Sequence, residues 1–356
     1  MTKHSKEGKS FMKTKLGLIV LSLLLSFHAL AVKKDSLPIM AFWFNGGWEH
    51  YDPQAMKYLD EVVIFAVAAE PETGKVNVVS VDDKTGNVTY RRNSGAGLTT
   101  EMITTLVSDA NKHKVKTTLG INGMGKKEKY FNQLVRNNKQ DIFAEHIRDL
   151  CLKHGIGGVD VDYEHASNDE DIVLLAKIYT ALNKALKPEG ILISGAFGVK
   201  RKHARKFLEQ HHDLLDQINV MNYTTTTEQF KKGLSSLVKE HKVPKEKIYG
   251  GFAFYGKEVA IRKGSKRASV DYRDLVNMIE VTDEEDIFKV PAADDPKYLM
   301  TLKYNNSNKS VQDKMQFLKD NGYGGAMIWA LNHDVPVADP RSRLRYFRSV
   351  AGERVL

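Results

Sequence analysis

The feature that most constrains this chain is a set of eight short, β-rich apolar runs, each followed by a helical pattern. The runs fall at residues 39–44, 62–68, 115–121, 158–164, 191–197, 217–223, 248–254 and 326–330. Strands that alternate with helices pair in parallel through βα units, and eight of them close a barrel. No linker rich in Pro, Gly or Ser divides residues 38–354. The fold expected is therefore α/β, a single (β/α)8 TIM-type barrel over residues 32–356. Two stretches interrupt the alternation. Residues 74–91 carry two strand-like runs around Asp82-Asp83-Lys84-Thr85-Gly86, which predicts a β-hairpin after strand two. Residues 256–303 are longer than one crossover helix needs, and a small α+β elaboration on the rim between strands seven and eight is expected there.

The helices carry ordinary start and stop signals. Residues 141–154 bring Ile142, Phe143, Ile147, Leu150 and Cys151 to one face and stop at Gly155. Cys151 is the chain's only cysteine, which excludes an internal disulfide framework and a multi-thiolate metal centre. On that face it reads as a core residue. Residues 171–186 form a second amphipathic helix, ending before Lys187-Pro188-Glu189-Gly190.

The first 31 residues read differently. Lys3, Lys6, Lys9, Lys13 and Lys15 lead into the apolar run Leu16–Leu25 and a small-x-small site at Ala29-Leu30-Ala31. That order predicts a secretory signal peptide, with an uncleaved anchor as the alternative. With the segment go five lysines and one glutamate, which lowers the net charge from +9 to +5. An excess that small, spread along the chain, predicts no nucleic-acid partner, and the run Arg201–Lys206 reads as a solvated helix face. Export without disulfides predicts a secreted or periplasmic monomer, with no membrane contact once the signal is removed.

The most informative run is Gly157-Gly158-Val159-Asp160-Val161-Asp162-Tyr163-Glu164. On a strand, alternate side chains share a face, so Asp160, Asp162 and Glu164 point one way and Val159, Val161 and Tyr163 the other. Three carboxylates aimed into a barrel cannot all ionise cheaply, and at least one keeps its proton near neutrality. Glu164, last in the row, is nearest the C-terminal mouth and is a natural general acid. Alternating carboxylates also suit a magnesium or manganese site, or an ion-pair cluster with neighbouring lysines. His211-His212-Asp213 matches no regular ligand spacing and reads as solvated helix. No metal or cofactor is expected.

This run resembles the D-G-x-D-x-D-x-E signature of glycoside hydrolase family 18, the chitinases and endo-β-N-acetylglucosaminidases, with Gly157 in place of the first acid. Other stretches follow in the family's order. Residues 116–123 are similar to its S-x-G-G motif, with Gly120 and Asn122 as departures. Met221-Asn222-Tyr223 is similar to M-x-Y, although Thr224 follows where the chitinases usually have Asp. Residues 251–256 are similar to G-x-P-x-Y-G, with Ala253 replacing proline and Tyr255 retained. Residues 324–329 with Asp334 are similar to G-G-x-M-x-W…D.

The resemblance implies a substrate-assisted retaining mechanism, in which the sugar's own acetamido group is the nucleophile. Glu164 would then protonate the glycosidic oxygen, Asp162 would hold the acetamido N–H, and Asp160 would share its proton. Tyr223 would donate to the acetamido oxygen, and Trp329 would floor the adjacent sugar subsite. Met221, Asn222 and Tyr255 would line the substrate cleft. Trp43 and Trp48, at or beyond the end of the first run, are expected to stack on sugar at the barrel mouth as Trp329 does. The function expected is hydrolysis of β-1,4-linked N-acetylglucosamine polymers or oligomers. Action on N-glycans or peptidoglycan is the enzymatic alternative, and sugar binding without turnover is the other class.

Overall fold

The computed structural model describes residues 36–77, 98–123, 128–163, 166–259, 268–280 and 283–354. Eight parallel strands form the barrel: β1 (Ile39–Phe44), β2 (Glu61–Ala69), β3 (Lys116–Asn122), β4 (Gly158–Asp162), β5 (Leu192–Phe197), β6 (Gln217–Val220), β7 (Ile248–Ala253) and β8 (Gly325–Trp329). Closure runs through β1, where Phe42 faces Val63 of β2 on one side and Trp329 of β8 on the other. The export segment read over residues 1–31 lies outside the described residues.

Strand alternation divides the apolar residues into two cores. Met40, Phe42, Val63, Phe65 and Met327 fill the barrel, and Phe44 and Trp329 pack above them. Trp43, Ile64, Leu119, Val159, Val161, Ile193 and Ile218 face outward beneath the helices. The floor of the barrel is polar. Glu61 on β2 is buried, accepting from Thr118 Oγ1 at 2.6 Å and from Lys116 Nζ at 3.2 Å.

Around the barrel stand α1 (Thr100–Lys112), α2 (Glu128–Arg136), α3 (Gln140–His154), α4 (Asp169–Leu186), α5 (Lys202–His211), α6 (Thr227–Lys239), α7 (Asn308–Asn321) and α8 (Arg343–Ala351). In α3, Phe143, Ala144, Ile147 and Cys151 are buried, and Gly155 ends the helix in the left-handed conformation at φ 69°. Burying a side chain such as Phe143 contributes roughly 1.5–3 kcal/mol. Ile142 does not join that face and is 39% exposed, because it lies one residue, about 100°, away from Phe143. Helix α4 begins two residues earlier than the sequence indicated. Asn168 caps it, its Oδ1 accepting from the Asp171 N–H at 2.9 Å.

Two additions sit on this plan. Val76–Asn77 pairs antiparallel with Ala68–Ala69 at the end of β2, and the rest of the expected hairpin, from residue 78, lies outside the described residues. Between β7 and β8, a four-stranded antiparallel sheet runs in the order Ser269–Asp271, Tyr255–Glu258, Asp295–Lys303, Ile287–Ala292. Tyr255–Glu258 starts two residues after β7 ends, so the sheet rises directly from the barrel's C-terminal mouth.

Candidate active site

The acidic face of β4 points into the barrel. Asp160 is fully buried, its Oδ1 accepting from Ser194 Oγ at 2.6 Å and from Asn219 Nδ2 at 2.7 Å. Among the described residues its Oδ2 has no partner. Burial pushes this carboxyl up to about 6, with the two hydrogen bonds pulling it down and Glu61 adding to the rise. Asp162, one step toward the mouth, is 3% exposed and lies in register with Asn122 of β3. β4 ends there, and Glu164 and His165 lie outside the described residues.

The backbone on either side of that pair is firmly held. Tyr163 donates from its hydroxyl to Asn132 Oδ1 at 3.0 Å. Asp171 accepts from the Ser167 N–H and Oγ, both at 2.8 Å, and from Asn132 Nδ2, also at 2.8 Å. Partial burial opposes ionisation of Asp171, but these bonds win and hold its carboxyl below the usual range. One asparagine thus ties the residue before the Glu164–His165 pair to the start of α4.

β6 ends at Val220, three residues short of the strand read from the sequence. Beyond it, Asn222 Oδ1 accepts from the Gly251 N–H at 2.9 Å, and Thr224 adopts φ 50°. That left-handed residue breaks the strand alternation, so Tyr223 and Thr224 both line the cleft. The segment is buttressed from behind. Lys314 of α7 is 3% exposed and donates to the carbonyls of Thr225 and Asn305, and Asn305 Nδ2 donates to the carbonyl of Thr224. Burial lowers the Lys314 ammonium to about 8, with Asp286 opposing. Gly251 is required at this approach, since a Cβ there would sit 2.2 Å from the carbonyl oxygen of Val220.

Asp162, Met221, Tyr223, Tyr255 and Trp329 converge on one pocket of about 440 Å³ at the mouth. Trp329 is half-buried, its ring 5.4 Å from Phe42, 5.3 Å from Phe65 and 6.2 Å from Phe44. Tyr223 packs edge-on against Tyr255 at 6.2 Å, and its hydroxyl lies 3.4 Å from Met327 Sδ. A flat indole braced by three phenyl rings, facing a carboxylate and a phenol, gives one apolar wall and two hydrogen-bonding groups. That combination suits a sugar ring bearing an amide.

Two tryptophans are elsewhere. Trp43 is fully buried in the outer core, 5.4 Å from Trp48 and 6.2 Å from Tyr51, and Trp48 stacks on Tyr51 at 4.9 Å. Neither lines the pocket, which corrects the expectation that they stack on sugar. The reason is alternation: Phe42 faces inward in register with Trp329, so Trp43 must face outward. Asn222 lines the adjoining part of the cleft, where its Oδ1 accepts from the Gly251 N–H. Sequence reasoning missed Phe42, Arg201, Lys257, Ser269 and His333, all of which line the pocket. Only Phe42 had a readable signal, its strand parity. His333 is largely enclosed, and burial lowers its imidazole pKa, with Asp271 opposing at 3.6 Å.

At Gly157, the position without the expected acid, an added Cβ would come no closer than 3.9 Å to another atom. A side chain would fit there, so the departure has no steric cause.

The family model described as "Glycosyl hydrolases family 18" matches residues 39–334. Among solved structures, a chitinase from Bacteroides thetaiotaomicron shares 19% identity, with 90% of this chain and 97% of that one covered and a TM-score of 0.65. The class V chitinase from Nicotiana tobaccum shares 15% identity, covers 89% of this chain and 99% of its own, and has a TM-score of 0.66. The chitinase-like agglutinin from Robinia pseudoacacia shares 17% identity over 88% of this chain and 99% of its own, with a TM-score of 0.64. With the family model spanning β1 to the residues just after β8, and with Asp160, Asp162, Tyr223 and Trp329 each on a motif of that family, this chain belongs to glycoside hydrolase family 18.

Proposed function

We propose that the protein hydrolyses β-1,4-linked N-acetylglucosamine oligomers or polymers with retention at the anomeric carbon, the substrate's acetamido group acting as nucleophile. Glu164 gives its proton to the glycosidic oxygen as the bond to the anomeric carbon breaks. The acetamido oxygen attacks that carbon, forming an oxazolinium ion that water then opens. Asp162 holds the acetamido N–H, Tyr223 donates to the acetamido oxygen, and Trp329 floors the ring. Asp160, deeper in the barrel, takes the proton that Asp162 gives up. The observation that carries this reading is the convergence of Asp162, Tyr223 and Trp329, from three separate strand ends, on one pocket.

Sugar binding without turnover is favoured by one specific observation, the agglutinin that shares this fold. Turnover separates the two readings. On chitotetraose, Glu164→Gln is expected to slow hydrolysis by roughly 10²–10⁴-fold while leaving sugar affinity intact, because the amide keeps the shape but has no proton to transfer. Rates equal to the parent's would remove Glu164 from the acid's role. Binding by a parent that never turns over would favour the lectin reading.

A further inference from the structure

The turn that brings Tyr223 to the pocket is held in a conformation that its own residues disfavour. Thr224 is β-branched and takes φ 50°, in the left-handed region that such residues rarely enter. Backbone of this kind persists only where its surroundings over-determine it. They do so on both sides of the Tyr223–Thr224 pair. Toward β6, the Asn222 side chain accepts from the Gly251 N–H, and the Asn222 carbonyl accepts from Thr225 Oγ1 at 2.6 Å. From the far side a second left-handed residue, Asn305 at φ 53°, donates its Nδ2–H to the Thr224 carbonyl.

Lys314 closes this arrangement. Its ammonium donates to the Thr225 carbonyl at 3.0 Å and to the Asn305 carbonyl, joining the two left-handed segments from behind. Thr225 and Asn305 are both buried, so loss of the ammonium strands two carbonyls. The rest of its surroundings are apolar, with Nζ 5.7 Å from the centre of the Phe230 ring and 5.9 Å from that of Phe252. Among the described residues no carboxylate bonds it, and Asp286 acts on it only through space. The Asp286 carboxylate is taken instead by the Ser307 N–H and Ser310 Oγ. An ammonium buried without an ion-pair partner is costly, and an apolar chain would fill the same space at less expense. What the ammonium supplies in return is an anchor on the turn that carries Tyr223.

We infer that Lys314 is a positioning residue for Tyr223, its ammonium fixing the Thr224–Thr225 turn so that the phenol meets the acetamido oxygen. The inference rests on the glycosidase reading of the pocket and adds the residue that sets the place of one of its donors.

A double-mutant cycle on chitotetraose tests it. Lys314→Met keeps an unbranched chain in the site and donates nothing. Its kcat is expected to fall by about tenfold or more with KM changed less than about threefold, since a shift of about 1 Å at a reacting group suffices for such a loss. In a Tyr223→Phe background the same substitution is expected to cost less than about threefold, because the phenol it serves is already gone. A lysine that only stabilises the fold lowers kcat by the same factor in both backgrounds, and that result overturns the inference. If Lys314→Met does not fold, Asn305→Gly runs the same cycle. Glycine accepts the left-handed conformation and removes only the bond to the Thr224 carbonyl. A kcat loss of at least about threefold, confined to the background that keeps Tyr223, is expected there, and equal losses again overturn the inference. If the parent leaves chitotetraose uncut, the glycosidase reading fails, and crystal structures of the parent and the folded variant decide the positioning alone. A Tyr223 hydroxyl displaced by about 1 Å or more from its place beside Met327 Sδ supports it, and an unmoved Tyr223 overturns it.

Discussion

At the residue scale, Asp160 is the group whose environment and chemistry are most at odds. It is fully buried, its Oδ1 is satisfied twice, and its Oδ2 faces no donor among the described residues. Its carboxyl is raised from 3.8 to about 6, so the folded state binds more protons than the unfolded chain between those two values. Stability contributed by the neutral form is therefore fully present below pH 4 and is lost as pH rises through 6. An asparagine at this position would keep the acceptor that Ser194 and Asn219 use and carry no charge to desolvate. Asp160→Asn is thus expected to gain roughly 2 kcal/mol on the parent between pH 4 and pH 7, read as the change in the stability difference from urea unfolding at each pH. A difference independent of pH would mean that Asp160 does not titrate in this range. The expected loss of activity in the same variant would mark the cost of a buried acid retained for proton transfer.

At the scale of elements, what the sequence made legible is what alternation and periodicity encode. The eight strands, the inward face of Asp160 and Asp162, and the core face of α3 all follow from spacings of 2 and 3.6. Where alternation fails, the reading failed with it. The strand through Tyr223 looks continuous in sequence but ends at Val220, because Asn222 turns to Gly251 and Thr224 takes a left-handed conformation. Trp43 was misplaced for the opposite reason. Its parity was present in the sequence, but only its register against Trp329 identifies which parity is inward. Arg201, Lys257 and His333 belong to three different loops and strands, and no local pattern brings them together. Nor does the sequence reveal that Asn132 bridges Tyr163 and Asp171, on either side of Glu164 in the sequence. Asp171→Ala removes three hydrogen bonds, two of them from Ser167, three residues after Glu164 in the sequence. Because a displacement of about 1 Å at a reacting group can cost 10²-fold, a fall in kcat of at least tenfold is expected, with KM little changed. Asp171→Asn, which keeps an acceptor for Ser167, should recover part of the rate. An unaltered kcat in the folded alanine variant would mean that the rate does not depend on the anchoring of Ser167 by Asp171.

At the scale of the whole molecule, the pocket and a polar clamp occupy opposite ends of the barrel. The pocket lies at the C-terminal mouth, whereas the N-terminal end is tied shut by the last helix. Asp60, just before β2, accepts from the Ile39 N–H at 2.7 Å and from Arg348 of α8, and Arg348 Nε donates to the Tyr58 carbonyl at 2.9 Å. The Leu37 N–H bonds the Ala351 carbonyl at 2.9 Å, so the residues leading into β1 and the end of α8 are joined there. Burial lowers the Arg348 guanidinium pKa, with Asp60 opposing, which marks the pair as one that loses water when it forms. Removing one partner of such a pair strands the other, although Arg354 Nε at 3.5 Å partly compensates Asp60. Arg348→Leu is therefore expected to cost about 2 kcal/mol and to lower Tm by roughly 3–5 °C for a domain of this size. Because the change lies at the closed end, kcat/KM at 25 °C should match the parent's within about twofold, as additivity predicts for distant independent sites. Differential scanning calorimetry with steady-state kinetics on the same preparation checks both halves. An unchanged Tm would show that the clamp adds no net stability. A large loss of kcat/KM at unchanged Tm would show instead that the closed end of the barrel is coupled to the pocket at its mouth.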